Sequence, residues 1–275
     1  MNTRKTKRKK KNTKKSNGSM KVIPVKPFFD DDEKEYHDLL PSIKRNRGSL
    51  ITILGSTASG KTTLINNLLL NKNMWGGDSC EGAFDEVYIF SPSIHLDDSC
   101  RFLREHFITF DMYNDDRLQE ILDEQKSYEK KKMPKIMIVI DDSVGMIHQN
   151  STLNHFLSRY RHYNSNVIIS SQAVRALSPI ARSNTTHSMI FAVPNDKEFE
   201  KLEEEYGGVY GGQFKKLYME ATNQKFHFLY LILRELPAEA YKNFDRKLNY
   251  TPNHSLGVED DTEKVEDLNN NKDIE

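Results

Sequence analysis

Gly55-Ser56-Thr57-Ala58-Ser59-Gly60-Lys61-Thr62-Thr63 is a glycine-bracketed run that ends in a lysine and two hydroxyls. Gly-x4-Gly-Lys-Thr is the spacing a phosphate cradle needs. Gly55 and Gly60 let the backbone turn tightly, so that successive N–H groups point inward at an anion. Lys61 is expected to reach the β- and γ-phosphates of a nucleoside triphosphate, with the Thr62 hydroxyl ligating Mg²⁺. A helix opening at Lys61 would add its N-terminal partial positive charge. The flanks agree. Leu50-Ile51-Thr52-Ile53-Leu54 suits a buried strand, and Leu64, Ile65, Leu68 and Leu69 begin a helical apolar face.

Two further stretches end apolar strands in polar groups. Ile136 to Ile140 runs into Asp141-Asp142. An acid there can hold Mg²⁺ beside the P-loop threonine, as Asp141 would, and the next one, Asp142, can act as general base toward water. Val167-Ile168-Ile169-Ser170-Ser171 runs into Gln172, which reads either as a turn residue or as a sensor of the γ-phosphate. Arg161 and Arg182 each read either as a salt-bridging surface residue or as an arginine reaching a neighbouring subunit's nucleotide. The three elements together favour the functional readings, because ligands of open α/β sheets bind at the carboxyl edge of the strands.

The elements that must position these groups can be read in order. Strands are expected at 86–90, 107–110, 135–140, 166–171, 188–193 and, as the last strong one, 226–233. Helices are expected after Lys61, around Leu103, over 115–132, 152–163 and 196–206, with a flexible glycine-flanked loop at 207–212. That alternation implies an α/β fold with a mostly parallel sheet and helices on both faces. Residues 29–249 form the expected catalytic domain. Residues 1–21 carry ten Lys or Arg and no acid, which marks 1–28 as a basic disordered arm and linker. Residues 258–275 carry eight acids against two lysines, so 250–275 is expected to be an acidic disordered tail. The 40 basic and 40 acidic residues of the 275-residue chain therefore cancel in total without being mixed. Cys80 and Cys100, with no Cys/His cluster, fit a reducing compartment without structural zinc. No apolar run is long enough to span a bilayer, and no secretory signal opens the chain. A soluble intracellular protein is expected.

The ordered set Gly55–Thr62, Ile138-Val139-Ile140-Asp141-Asp142, Arg161 and Val167 to Gln172 resembles the FtsK–HerA superfamily of DNA-pumping ATPases. Arg161-His162 ahead of Gln172, and Leu177-Ser178-Pro179-Ile180-Ala181-Arg182-Ser183-Asn184 after it, look most like the poxvirus-type genome-packaging ATPases of large nucleocytoplasmic DNA viruses, with similar proteins in virophages. The resemblance covers about residues 48–235. It implies a RecA-like P-loop NTPase core with the Gln172 strand between the P-loop and Asp141 strands. It further implies ATP and Mg²⁺ as cofactors, a homo-oligomeric and hexameric ring, and packaging of double-stranded DNA into a preformed capsid. Capsid or portal-vertex proteins would be partners, and the host cytoplasm (the viral factory) the location, with virion or host nucleus as alternatives. Lys61, Thr62, Asp141 and Asp142 take phosphate, metal and base positions by the same alignment; many members carry Glu where Asp142 stands. Arg161 matches the trans-acting arginine best, and Arg182 second. Rival readings are a helicase or conjugation-type DNA pump on the same core, a P-loop small-molecule kinase, and a nucleotide-gated virion adaptor. The 195–220 region lacks the arginines a kinase lid would need.

Overall fold

A computed structural model describes residues 38–45, 47–76, 82–142 and 151–252. Every described residue belongs to a single compact unit. The expected basic arm, Cys80 and the acidic stretch beyond residue 252 lie outside the described residues.

The first apolar runs form β1 (Leu50–Leu54), β2 (Glu86–Phe90), β3 (Ile108–Phe110), β4 (Ile136–Asp141), β5 (Ser165–Ser171) and β6 (His187–Phe191). These six strands pair in parallel in the order β3-β2-β4-β5-β1-β6. Beyond β6 the sheet turns antiparallel through β7 (Phe228–Ile232), β8 (Glu239–Lys242) and β9 (Arg246–Lys247). The β5 strand lies between β1 and β4, as the resemblance implied.

Parallel strands are buried on both sides, which is why β1, β4 and β5 read as continuous apolar runs rather than alternating ones. Leu50 and Leu54 of β1 point into one core with Ile136, Ile138 and Ile140 of β4 and Val167 and Ile169 of β5. On that face lie α3 (Asp115–Ser127), α4 (Thr152–Leu157), α5 (Pro179–Asn184), α6 (Asp196–Tyr206) and α7 (Phe214–Ala221). Ile51, Ile53, Met137, Val139 and Ile168 face the other core, under α1 (Lys61–Leu70) and α2 (Arg101–His106) with the fully buried Trp75. Each such fully buried aliphatic side chain contributes roughly 1.5–3 kcal/mol of transfer free energy. A polar chain crosses the first core: Thr52 Oγ1 donates to Ser188 Oγ at 2.9 Å, and Ser188 Oγ donates to the Tyr206 hydroxyl at 3.2 Å. It ties the P-loop strand to β6 and α6.

The C-terminal third departs from the sequence reading. The strand expected at 226–233 spans Phe228–Ile232, and two short strands, β8 and β9, follow it. Residues 207–212 are not a free loop: Gly207–Tyr210 is a 3₁₀ turn whose Tyr210 is fully buried, and its hydroxyl donates to Glu239 O at 3.3 Å. The positive φ angles of Gly211 and Gly212 then aim the chain into α7, which was not anticipated. The helix expected over 115–132 stops at Ser127, and that over 152–163 breaks after Leu157 into a 3₁₀ turn, Tyr160–Tyr163. Tyr250, where the tail was expected to begin, packs edge-on against Tyr210 with ring centroids 4.9 Å apart. No helix among the described residues is long and apolar enough to cross a membrane.

Candidate active site

All six parallel strands point the same way, so the groups that follow them collect along one edge of the sheet. Gly55 follows β1, Ser91 follows β2, Asp141 closes β4 and Gln172 follows β5. The loop after β1 is anchored to this edge by the Gly55 N–H, which donates to Ser171 O at 3.2 Å. A Cβ on Gly55 would stand 2.6 Å from Ser59 Oγ and 2.8 Å from Phe191 Cβ, so no side chain fits there. Gly60 turns the chain into α1 with φ 111°, a left-handed conformation natural only to glycine. Ala58 is held at φ 59°, a strained choice for a residue with a Cβ.

This cradle fits an anion. No side chain caps the start of α1, so the orphan N–H groups of its first turn have no side-chain acceptor of their own. Ser59 Oγ is buried without a hydrogen-bond partner, a vacancy that a phosphate oxygen would satisfy. Lys61 is largely buried and folds back over the loop, donating to Gly55 O at 2.9 Å and Ser56 O at 3.1 Å. Burial pushes its ammonium below the ordinary lysine range, and the nearby carboxylates of Asp142 and Asp141 act against that shift. Lys61 thus lies in a shielded site within electrostatic reach of both acids.

Asp141 is buried at the end of β4. Ser91 Oγ donates to its Oδ2 at 2.9 Å, and Ser170 Oγ donates to its Oδ1. Two hydroxyls from the neighbouring strands therefore fix the carboxylate. Neither serine was singled out from the sequence; Ser91 lies just past the strand expected at 86–90, and Ser170 read as ordinary strand. Asp142 adopts φ 51°, its N–H donates to Ser170 O, and its exposed carboxylate accepts from Gln172 Nε2 at 3.0 Å. Among the described residues no group of three or more His, Cys, Asp or Glu could hold a metal alone. A Mg²⁺ here fits Thr62, Asp141 and nucleotide phosphate oxygens as ligands, in keeping with its preference for a few protein oxygens beside phosphates.

The two arginines part company. Arg182, on α5, forms an ion pair with Glu205, Nε to Oε2 3.0 Å, with both side chains mostly shielded. Arg161 lies exposed in the 3₁₀ turn before β5, its guanidinium 5.4 Å from the Tyr160 ring centroid, and no carboxylate pairs with it among the described residues. It sits at the amino edge of β5, opposite the nucleotide edge. The seven residues of β5 span about 20 Å at about 3.3 Å each. Within one chain Arg161 cannot reach the P-loop.

Comparison with known proteins bears on the family and the fold. The family model described as Poxvirus A32 protein matches residues 42–207, which hold the P-loop, the acid pair, Gln172 and both arginines. The genome packaging NTPase B204 from Sulfolobus turreted icosahedral virus 2, in complex with AMP, is 17% identical over 71% of this chain and 98% of its own, with a TM-score of 0.52. B204 of the same virus in complex with ATP-gammaS is 16% identical over 72% and 98%, with a TM-score of 0.50. The DNA-packaging ATPase B204 from Sulfolobus turreted icosahedral virus is 16% identical over 71% and 97%, with a TM-score of 0.52. At these identities the likeness is one of fold, and it bears out the P-loop NTPase architecture. No curated protein sequence matches the chain.

Proposed function

The chain belongs to the poxvirus A32 protein family, and from that premise we propose that it is an ATP-driven motor that packages double-stranded viral DNA into a preformed capsid. The observation that carries the proposal is the gathering of Lys61, Asp141, Asp142 and Gln172 on one sheet edge, with the exposed Arg161 on the other. The P-loop amides and Lys61 bind the triphosphate. Thr62 and Asp141 would hold a Mg²⁺ ion, whose positive charge would offset that of the phosphates. Asp142 takes the proton of the attacking water, and Gln172 fixes the carboxylate that does so. Arg161 of one subunit faces the triphosphate of the next in a homo-oligomeric, hexameric ring, where its charge stabilises the transition state. Conformational change at that shared site moves the DNA, and capsid or portal-vertex proteins receive the ring in the viral factory. Arg182 has a structural part in this reading, holding α5 to α6 through Glu205.

The test is ATP turnover with and without duplex DNA, coupled to mass determination of the assembled state. Stimulation by duplex DNA in a ring-sized assembly supports the motor. Turnover untouched by DNA, or strand displacement without duplex translocation, points away from packaging and toward a helicase or an adaptor.

A further inference from the structure

A cavity of about 340 Å³ opens beside the phosphate loop, away from the acid pair. Gly60, Thr63 and Asn67 form its α1 side, and Phe191, Phe226, Phe228 and Phe244 supply an aromatic wall, with Met74 beneath. Its volume is at the lower end of the roughly 300–1,000 Å³ of small-molecule pockets. Phe191 and Phe228 are buried and packed on each other, with centroids 5.3 Å apart, and Phe244 stands edge-on to Phe228 at 5.3 Å.

Phe226 is different. It is 57% exposed and holds φ 67°, a backbone conformation rare for an aromatic residue. Its ring borders the phosphate loop: a Cβ at Gly60 would lie 3.4 Å from Phe226 Cδ1 and 3.4 Å from Phe191 Cε1. The Lys225 ammonium lies 4.7 Å from its ring centroid. An aromatic ring held in a strained conformation against a phosphate cradle, and left half-bare to water, is built to be covered by something flat.

Strand order says what. The γ-phosphate end of a bound triphosphate is fixed by Asp141, Asp142 and Gln172, on the β4 and β5 side of β1. The nucleoside end must therefore leave on the other side, over β6 and β7. The cavity lies there, lined by Phe191 at the end of β6 and Phe228 at the start of β7. Thr63, the residue after the Mg²⁺ threonine, lines its mouth. We propose that this cavity receives the base of the bound nucleotide, with Phe226 stacking on it. The Asn67 amide is already engaged, donating to Thr63 O at 2.8 Å and accepting from Asn71. Recognition is thus by stacking and shape, and it separates purines from pyrimidines without separating adenine from guanine.

This rests on the nucleotide-site reading, and the experiment keeps the two apart by measuring binding of ATP, GTP, CTP and inorganic triphosphate to the full chain by calorimetry. Phe226→Ala is expected to weaken ATP and GTP roughly tenfold, as loss of one base–aromatic stack does, with inorganic triphosphate unchanged. Phe226→Tyr restores affinity, and Phe226→Leu, apolar but lacking a π face, does not. In turnover the Ala variant raises KM and leaves kcat unchanged, the mark of an interaction equal in ground and transition states. Unchanged ATP affinity in Phe226→Ala, with triphosphate still bound by the wild type, overturns the base site and leaves the P-loop reading standing. If the wild type binds neither ATP nor triphosphate, both readings fall. Phe226 is mostly exposed, so its replacement leaves the core packing intact.

Discussion

Gln172 donates its side-chain amide to the Asp142 carboxylate across 3.0 Å, joining the ends of two adjacent parallel strands. Asp142→Asn should cost about 10²–10⁴-fold in hydrolysis, the usual worth of a general base, with nucleotide affinity retained. Gln172→Ala should cost less, because it frees the base without removing it. Gln172→Glu replaces the amide donor by a second carboxylate, which repels Asp142 instead of holding it, and should lower turnover at least as far as Gln172→Ala does. Wild-type turnover in that variant separates Gln172 from the base.

Arg161 and Lys61 stand at opposite ends of neighbouring strands, so the cooperation proposed for them is one between subunits. Arg161→Ala should bind nucleotide normally and lose roughly 10³-fold or more in turnover, in line with other trans-acting arginines. Mixing it with Lys61→Ala protein should restore part of the activity, since some interfaces then pair an intact arginine with an intact P-loop. Absence of any recovery in mixed assemblies removes the trans role.

Arg182→Ala should behave otherwise. Its ion pair with Glu205 is mostly shielded yet keeps some contact with water, so chemical denaturation should register a loss of about 1 kcal/mol, the upper end for pairs in contact with solvent. Glu205→Ala should give a similar loss, and the double variant should add little to either.

Gly55→Ala tests the cradle itself. The added Cβ meets Ser59 Oγ and Phe191 Cβ well inside contact distance. Backbone or side-chain shifts of that kind cost about 1–3 kcal/mol. Thermal unfolding should detect that loss, and triphosphate binding should fall with it because the loop must move.

His187 supplies a pH prediction. It is buried in β6, with Nδ1 2.8 Å from Thr186 Oγ1 and its ring stacked against Tyr230. Burial, with a smaller contribution from the Arg234 charge, lowers its pKa from 6.5 to about 3. The unfolded chain binds a proton near pH 6.5 that the folded chain refuses until about pH 3. Its stabilising contribution is therefore complete above pH 6.5 and is lost as pH falls toward 3, at up to about 1.4 kcal/mol per pH unit. Urea unfolding at pH 7, 5.5 and 4.5 should show this slope, and His187→Asn should flatten it.

The parts legible in the sequence are those fixed by local spacing. Gly55 to Thr62 must be contiguous to wrap an anion, and Asp141 must close a strand buried on both faces; each leaves its mark within a dozen residues. The resemblance to poxvirus-type packaging ATPases rested on such marks, and the family match bears it out. What depends on register was hidden. Ser91 and Ser170 reach Asp141 from positions 50 and 29 residues away, and only strand order brings them there. The α7 helix carries its buried residues Phe214, Leu217, Tyr218 and Ala221 at helical spacing, but the glycine pairs just before it pointed to a loop. β8 is four residues long with only Ala240 and Tyr241 buried, too short a pattern to stand out.

If Arg161 of one copy serves the P-loop of the next, as proposed, the opposed placement of Lys61 and Arg161 also constrains how copies of the subunit join. A two-fold dimer would need one self-complementary patch running from the arginine edge to the nucleotide edge, about 20 Å along β5. A head-to-tail contact needs a single such meeting per interface, and repeated contacts of that kind either close on themselves or grow without end. The turn per subunit alone separates the two. A substitution that tilts the Arg161 turn by a few degrees would therefore yield spiral filaments rather than inactive monomers.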